Sequence, residues 1–171
     1  MASFETSSMV IYYNFKNDYV TVKKPELTDK DVLHVGADFN VSPICCVVAV
    51  LDKTHIKVFD EIQIYSSNTA ELCQELKTRY PNNKIIVYPD ASGGFRSTKG
   101  TTDHNIIREA GFEVKSPRKN PPVKDRINSV NAAFENANGV NRLLVHHKCK
   151  HLMECLKKQS YKENTQIHKI N

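Results

Sequence analysis

Two short apolar runs that each end in an aspartate decide the fold of this chain: VLHVGAD at Val32–Asp38 and KIIVYPD at Lys84–Asp90. The continuous apolar character of both runs predicts strands that are buried within a sheet. An acid at the carboxyl end of such a strand is held rigidly at a sheet edge, where α/β folds bind their ligands. If the two strands are neighbours, the carboxylates of Asp38 and Asp90 lie close together.

The segments around these runs predict the rest of an α/β domain. Apolar and turn patterns predict strands at 44–51, 56–64, 112–114 and 142–146, and helices at 68–80, 103–110, 125–138 and 149–158. Ser67 or Asn68 is the predicted cap of the first helix, and Asp103 is the predicted cap of the second. Three strands followed by alternating helices and strands predict a mixed central sheet with helices on both faces.

The N-terminal stretch has a different character, and we predict a boundary near residue 30. Residues 1–30 are interpreted as a hairpin, with strands at 10–13 and 19–22, or as a linker. Residues 31–171 are predicted to form the main domain.

Composition limits the classes of protein to be considered. The chain has 171 residues, of which 40% are hydrophobic and 25% charged, as expected for one folded domain. No apolar stretch approaches the roughly 18 to 20 residues of a membrane span, and no secretory signal is recognisable. Five cysteines, an odd number, indicate reduced thiols rather than a disulfide framework. The net charge of +5 favours an anionic partner.

The two strand-end acids predict a site for divalent metal ions. Like charges at close range are unfavourable unless a cation bridges them, and the hard ions Mg²⁺ and Mn²⁺ take carboxylate oxygens. Two ions about 3.5–4 Å apart can activate a water and stabilise the leaving oxygen of a phosphodiester. The alternative is that Asp38 and Asp90 only terminate turns. Asn40 and Ser92 are interpreted either as residues that orient these carboxylates or as further turn residues.

Four segments together resemble a known family. They are GADFNVSP at 36–43, YPDASGGFR at 88–96, PPVKDRINSVNAAF at 121–134 and RLLVHHKCKHLMECL at 142–156. Taken together, these segments resemble the nuclease domain of phage large terminase subunits, which has a ribonuclease H-like fold. The resemblance runs from about Val32 to Lys158.

The resemblance implies a function and a metal site. It implies an endonuclease that cuts concatemeric double-stranded viral DNA during genome packaging, in the cytoplasm of the infected host cell. Asp38 and Asp90 are implied ligands of two Mg²⁺ or Mn²⁺ ions. The third acid of the family is expected beyond Asn171, and Asp103 and Asp125 are the only substitutes nearby. Both are better explained by helix starts.

The implied partners follow from the same resemblance. They are the terminase ATPase domain in the same parent chain, the small terminase subunit and the portal. The chain itself lacks the GxxxxGK[ST] loop that the ATPase would need. Basic residues of the second half are interpreted as contacts to DNA phosphates, or alternatively as a solvated rim; they are Arg96, Lys99, Arg118, Lys119, Lys124 and Arg126.

Other functions also fit the sequence. A junction resolvase or a nuclease of RNA–DNA hybrids would share the fold. A non-catalytic module that binds duplex DNA would keep the basic residues but not the metal chemistry. His151 and Cys155, four residues apart, suggest zinc, but their spacing matches no paired motif, and a core cysteine beside surface histidines is favoured.

Overall fold

The computed structural model describes residues 10–39, 42–91 and 101–161 of the chain. In chain order, the strands are β1 (Val20–Thr21), β2 (Val32–Asp38), β3 (Ile44–Leu51), β4 (Ile56–Ile64), β5 (Lys84–Pro89), β6 (Glu113–Val114) and β7 (Leu143–His146). The α-helices are α1 (Thr69–Arg79), α2 (Asp103–Glu109), α3 (Val123–Phe134) and α4 (Lys150–Lys158). The sequence-based bounds of β2, β3 and β4 agree with these, and most of the others differ by one to four residues at an end.

The described strands form one mixed sheet in the order β1-β7-β4-β3-β2-β5-β6. β2, β3 and β4 are antiparallel neighbours, because short connections join them. The turn between β3 and β4 is closed by Asp52, whose carboxylate accepts from the backbone N–H groups of Thr54 and His55 at 2.8 and 2.7 Å. β5 returns through α1 and lies parallel to β2. The predicted mixed sheet is confirmed.

Each face of the sheet has its own core and its own helices. On one face, which we call the α1/α2 face, Leu33 and Val35 of β2 pack with Leu72 of α1 and Ile107 of α2. On the other, the α3/α4 face, β3, β4 and β7 pack against Phe134 of α3 and against α4. The predicted arrangement of helices on both faces is confirmed. None of the helices among the described residues has the length and hydrophobicity needed to cross a bilayer.

The helix starts show one correct prediction and one wrong one. Asn68 caps α1, its side chain accepting from the N–H groups of Ala70 and Glu71 at 3.0 and 3.1 Å. Asp103 does not cap α2. Thr102 takes that role and accepts from Asn105 N at 3.1 Å. Asp103 is therefore the first helical residue, where an acid is favoured by the helix dipole.

The predicted N-terminal hairpin is also wrong. Val20–Thr21 pairs in parallel with β7, and residue 10 forms a bridge with Ser160. Ile11 is completely buried, and Phe15 packs against Phe134. Local alternation suggested a hairpin, but burial of aromatic side chains on α3 decided the path of this segment. The boundary at residue 30 stays a prediction.

Candidate active site

The two strand-end acids meet at one edge of the sheet. β2 and β5 are parallel neighbours whose last registered pair is Ala37 with Pro89, so Asp38 and Asp90 are the next residues along the two strands. Parallel neighbours lie about 5 Å apart. Alternation places both residues on the α3/α4 face, because Leu33, Val35 and Ala37 all pack on the opposite side. Asp38 is exposed and Asp90 is half-buried.

Asn120 holds Asp90 from the loop before α3. Its amide Nδ2 donates to Asp90 Oδ1 at 2.5 Å, and its Oδ1 accepts from Ala91 N at 2.9 Å. One side chain therefore binds both the carboxylate and the backbone that follows it. The buried His104 of α2 donates from Nε2 to the Asp90 carbonyl at 3.1 Å. The loop before α3 therefore holds the Asp90 carboxylate, and α2 holds the backbone of the same residue.

A groove of about 660 Å³ runs from Asp38 to α4. Glu61 of β4 lies in it and caps α4: its two carboxylate oxygens accept from His151 N and Leu152 N at 3.0 and 2.8 Å. A carboxylate at a helix N-terminus satisfies free N–H groups and complements the helix dipole. Glu61 thus fixes one wall of the groove. Gln63 Nε2 lies 3.4 Å from His151 Nε2 beside it.

The thiols in this groove stay protonated at neutral pH. Burial, followed by the negative charge of Asp38, raises the pKa of Cys45. Burial also raises the pKa of Cys155, whose sulfur lies 3.9 Å from His151 Nε2. A protonated thiol is a poor nucleophile and a poor ligand for soft metals. Within the described ranges, no three His, Cys, Asp or Glu side chains are placed to share a metal ion.

The remaining acids proposed from the sequence lie in the first turns of α2 and α3. Thr69 of α1 donates its hydroxyl to Asp103 Oδ1 at 2.5 Å, which links α1 to α2. Asp125 is exposed in the first turn of α3. Of the acids proposed from the sequence, Asp38 and Asp90 are the two that lie at the ends of adjacent strands.

The basic residues of the predicted DNA contact are exposed where the structure describes them. Arg118 and Lys119 lie in the loop that also carries Asn120, and Lys124 and Arg126 lie in the first turn of α3. The same loop therefore holds Asp90 and presents positive charge to solvent. Four of the predicted site residues lie outside the described residues: Asn40, Ser92, Arg96 and Lys99.

Sequence patterns missed Asn120, His104 and Glu61. An asparagine in a proline-rich basic loop, a histidine in a helix and a glutamate in a strand each have common structural explanations. Only the contacts in space distinguish them. Glu61 and Gln63 are two residues apart and therefore lie on the same face of β4. This alternation is the single local signal that could have placed Glu61 near the acids.

Comparisons with known proteins agree on the fold. Neither protein-family models nor curated protein sequences give a match to the chain. Among solved structures, the nuclease domain of the P22 large terminase matches with a TM-score of 0.71 and 17% identity, covering 93% of this chain and 84% of that one. The large terminase nuclease of thermophilic phage G20c, solved with magnesium, matches with a TM-score of 0.63 and 15% identity, covering 94% and 86%.

A longer protein matches equally well over part of its length. The large terminase of another thermophilic bacteriophage has a TM-score of 0.74 and 17% identity over 95% of this chain, but only 42% of that chain is covered. The chain therefore spans less than half the length of that terminase. These similarities confirm the predicted ribonuclease H-like α/β fold, in the form found in the nuclease domains of phage large terminases.

Proposed function

We propose that this domain is a divalent-metal-dependent endonuclease that cuts double-stranded DNA during the packaging of a viral genome. The observation that carries the proposal is the placement of Asp38 and Asp90 at the ends of adjacent parallel strands, on one face of the sheet. The fold of phage terminase nuclease domains supports it, as does the magnesium in one of those structures. The proposed reaction is hydrolysis of a phosphodiester with little sequence preference.

The donor set fits a hard divalent ion. Asp38 and Asp90 offer carboxylate oxygens only, and the nearby thiols are protonated. Mg²⁺ commonly binds through one or two carboxylates and completes its coordination with water and phosphate oxygens. We therefore propose that Asp38 and Asp90 hold Mg²⁺ or Mn²⁺, with two ions expected. When bound, such ions supply a Lewis acid and a water of lowered pKa.

The chain's own residues supply the other roles. Asn120 and His104 keep the Asp90 carboxylate and its backbone in place. Arg118, Lys119 and Lys124 are exposed beside the same loop and would bind phosphates without reading sequence. The third acidic ligand beyond Asn171 stays a prediction.

The cellular setting is also a proposal. Partners would be duplex DNA, an ATPase domain in the same parent chain, a small terminase subunit and a portal, in the cytoplasm of an infected cell. The 42% coverage of the longer large terminase is consistent with a nuclease domain within a longer chain.

Cleavage of supercoiled plasmid in Mg²⁺, in Mn²⁺ and in EDTA tests the proposal. We expect nicked and linear products with either ion and none in EDTA, because the carboxylates need a cation to act on a phosphodiester. The control is the same reaction with Ca²⁺, which is larger and binds less rigidly. If neither this chain nor one extended past Asn171 cuts DNA that it binds, the domain is a DNA-binding module instead.

Asn120→Ala is expected to lower the rate of plasmid cleavage by roughly 10- to 100-fold, the usual effect of losing a residue that orients a metal ligand. The Mg²⁺ concentration needed for half-maximal cleavage should rise by a similar factor, because the Asp90 carboxylate loses its donor at 2.5 Å. Asn138→Ala, at an exposed turn, is the matched control. Unchanged Mg²⁺ dependence in Asn120→Ala would remove Asn120 from the site.

A further inference from the structure

The part of the α3/α4 face formed by β2 and β5 is covered at Ile86, which is 6% exposed, and accessible at Tyr88. The core of the α3/α4 face draws residues from β3, β4 and β7, and within the described part of the chain none from β2, β5 or β6. Tyr88 of β5 is 39% exposed and lies beside Gly36 in the register. Gly36 has no side chain to cover it, so the tyrosine ring is accessible from the solvent side. Tyr88 shares its face and strand with Asp90, two residues away.

His34 and Tyr88 form a polar pair on this surface. His34 Nδ1 lies 2.8 Å from the Tyr88 hydroxyl, and their rings stack with centroids 5.7 Å apart. Burial, with a smaller effect from Lys115, lowers the pKa of His34, so the imidazole is neutral at pH 7. A neutral imidazole and a phenol have one polar hydrogen each, and their mutual bond uses one. The pair therefore keeps one donor for an external acceptor.

Lys115 adds a positive charge on the other side of Tyr88. It continues β6, donating its N–H to Val87 O at 2.9 Å, and alternation places it on the same face as Tyr88. Its ammonium lies 3.5 Å from Glu113, which Lys84 also contacts, at 2.8 Å. The Glu113 carboxylate thus faces two ammonium groups, so this cluster beside β6 keeps a net positive charge.

We propose that Tyr88, His34 and Lys115 form a subsite for a phosphate of the DNA strand, adjoining the phosphate that is cut at Asp38 and Asp90. The inference rests on the proposed function. Two residues of extended chain separate Tyr88 from Asp90, about 7 Å. The subsite lies on the same face of the sheet as the acids, its Tyr88 and Lys115 are exposed, and it combines a neutral donor with a cation. Such contacts position a strand without reading its sequence.

The role of the subsite is to align the strand with the acids. A phosphate bound by Lys115 and by the free donor of the His34–Tyr88 pair would fix the direction in which the backbone crosses the sheet edge. The neighbouring phosphate would then lie over Asp38 and Asp90. Tyr88 and His34 are positioning residues in this arrangement, since the reacting atoms lie at the acids.

Binding of a short labelled duplex in EDTA, across a salt series, tests the subsite without requiring cleavage. Lys115→Ala should weaken binding roughly eightfold at about 0.1 M salt and reduce the slope of log K against log salt by about 0.9, the loss of one phosphate contact. Lys115→Arg should keep the slope. Tyr88→Phe should weaken binding about fivefold with an unchanged slope, because it removes a hydrogen bond and no charge.

Lys77→Ala is the matched control, since Lys77 is an exposed lysine of α1 on the opposite face. We expect it to change neither the affinity nor the slope. If the unmodified chain binds duplex but Lys115→Ala keeps the full slope, the subsite is wrong and the proposed function stands. If the unmodified chain binds no duplex at any salt concentration, the proposed function fails, and the subsite fails with it.

Discussion

Asp38→Asn and Asp90→Asn are each expected to lower metal-dependent plasmid cleavage by at least about a hundredfold, beyond the usual effect of a residue that only orients a ligand. Each substitution keeps the shape of the side chain but removes the charge that binds a divalent cation. Folding should be unaffected, because Asp38 is exposed and both variants keep a hydrogen-bonding side chain. The measurement is the rate of plasmid nicking in Mg²⁺ and in Mn²⁺.

The matched control for these variants is Asp125→Asn. Asp125 is an exposed acid in the first turn of α3, and the sequence offered it as a substitute ligand. We expect the Asp125→Asn variant to cut plasmid at the rate of the unmodified chain and to show the same dependence on Mg²⁺. If Asp38→Asn or Asp90→Asn also cuts at that rate, the metal site does not lie where β2 and β5 end.

Phe134→Ala is expected to lower the free energy of unfolding by about 3–5 kcal/mol, the usual cost of truncating a buried aromatic residue. Phe134 is completely buried, and its ring lies 5.1 Å from that of Phe15 and 6.1 Å from that of Tyr19. The substitution therefore opens a cavity between α3 and the N-terminal segment. Urea denaturation followed by circular dichroism measures the change.

Val140→Ala is the control for this loss, because Val140 is 47% exposed and its truncation should change the free energy of unfolding by less than about 0.5 kcal/mol. The first contact to weaken in Phe134→Ala should be the hydrogen bond from the buried Asn131 to Ile11 O, which measures 2.9 Å. Hydrogen exchange at residues 11–19 should therefore be faster in Phe134→Ala. A loss below about 1 kcal/mol would mean that the N-terminal segment does not depend on α3.

Features of this chain that depend on local interactions were predictable from its sequence, and features that depend on long-range contacts were not. β2, β3 and β4 were predicted with their observed bounds, because strand periodicity and a cap or turn residue at each end are local properties. Ser67 and Asn68 were the two cap candidates for the same reason, and the structure shows that Asn68 is the cap. Thr102 and Asp103 are adjacent and both can cap, so the choice between them depended on the neighbouring Thr69 of α1.

Apolar runs ending in Asp38 and Asp90 were enough to predict an α/β sheet with acids at one edge, since strand burial and the position of the last residue are encoded locally. From the sequence alone, the pairing of β2 with β5 was an assumption. The tertiary structure shows that the two strands are parallel neighbours. Asn120, His104, Glu61 and the His34–Tyr88 pair came from the structure alone. Each depends on contacts between residues 14 to 91 positions apart, and no local pattern records which distant side chain will supply a hydrogen bond.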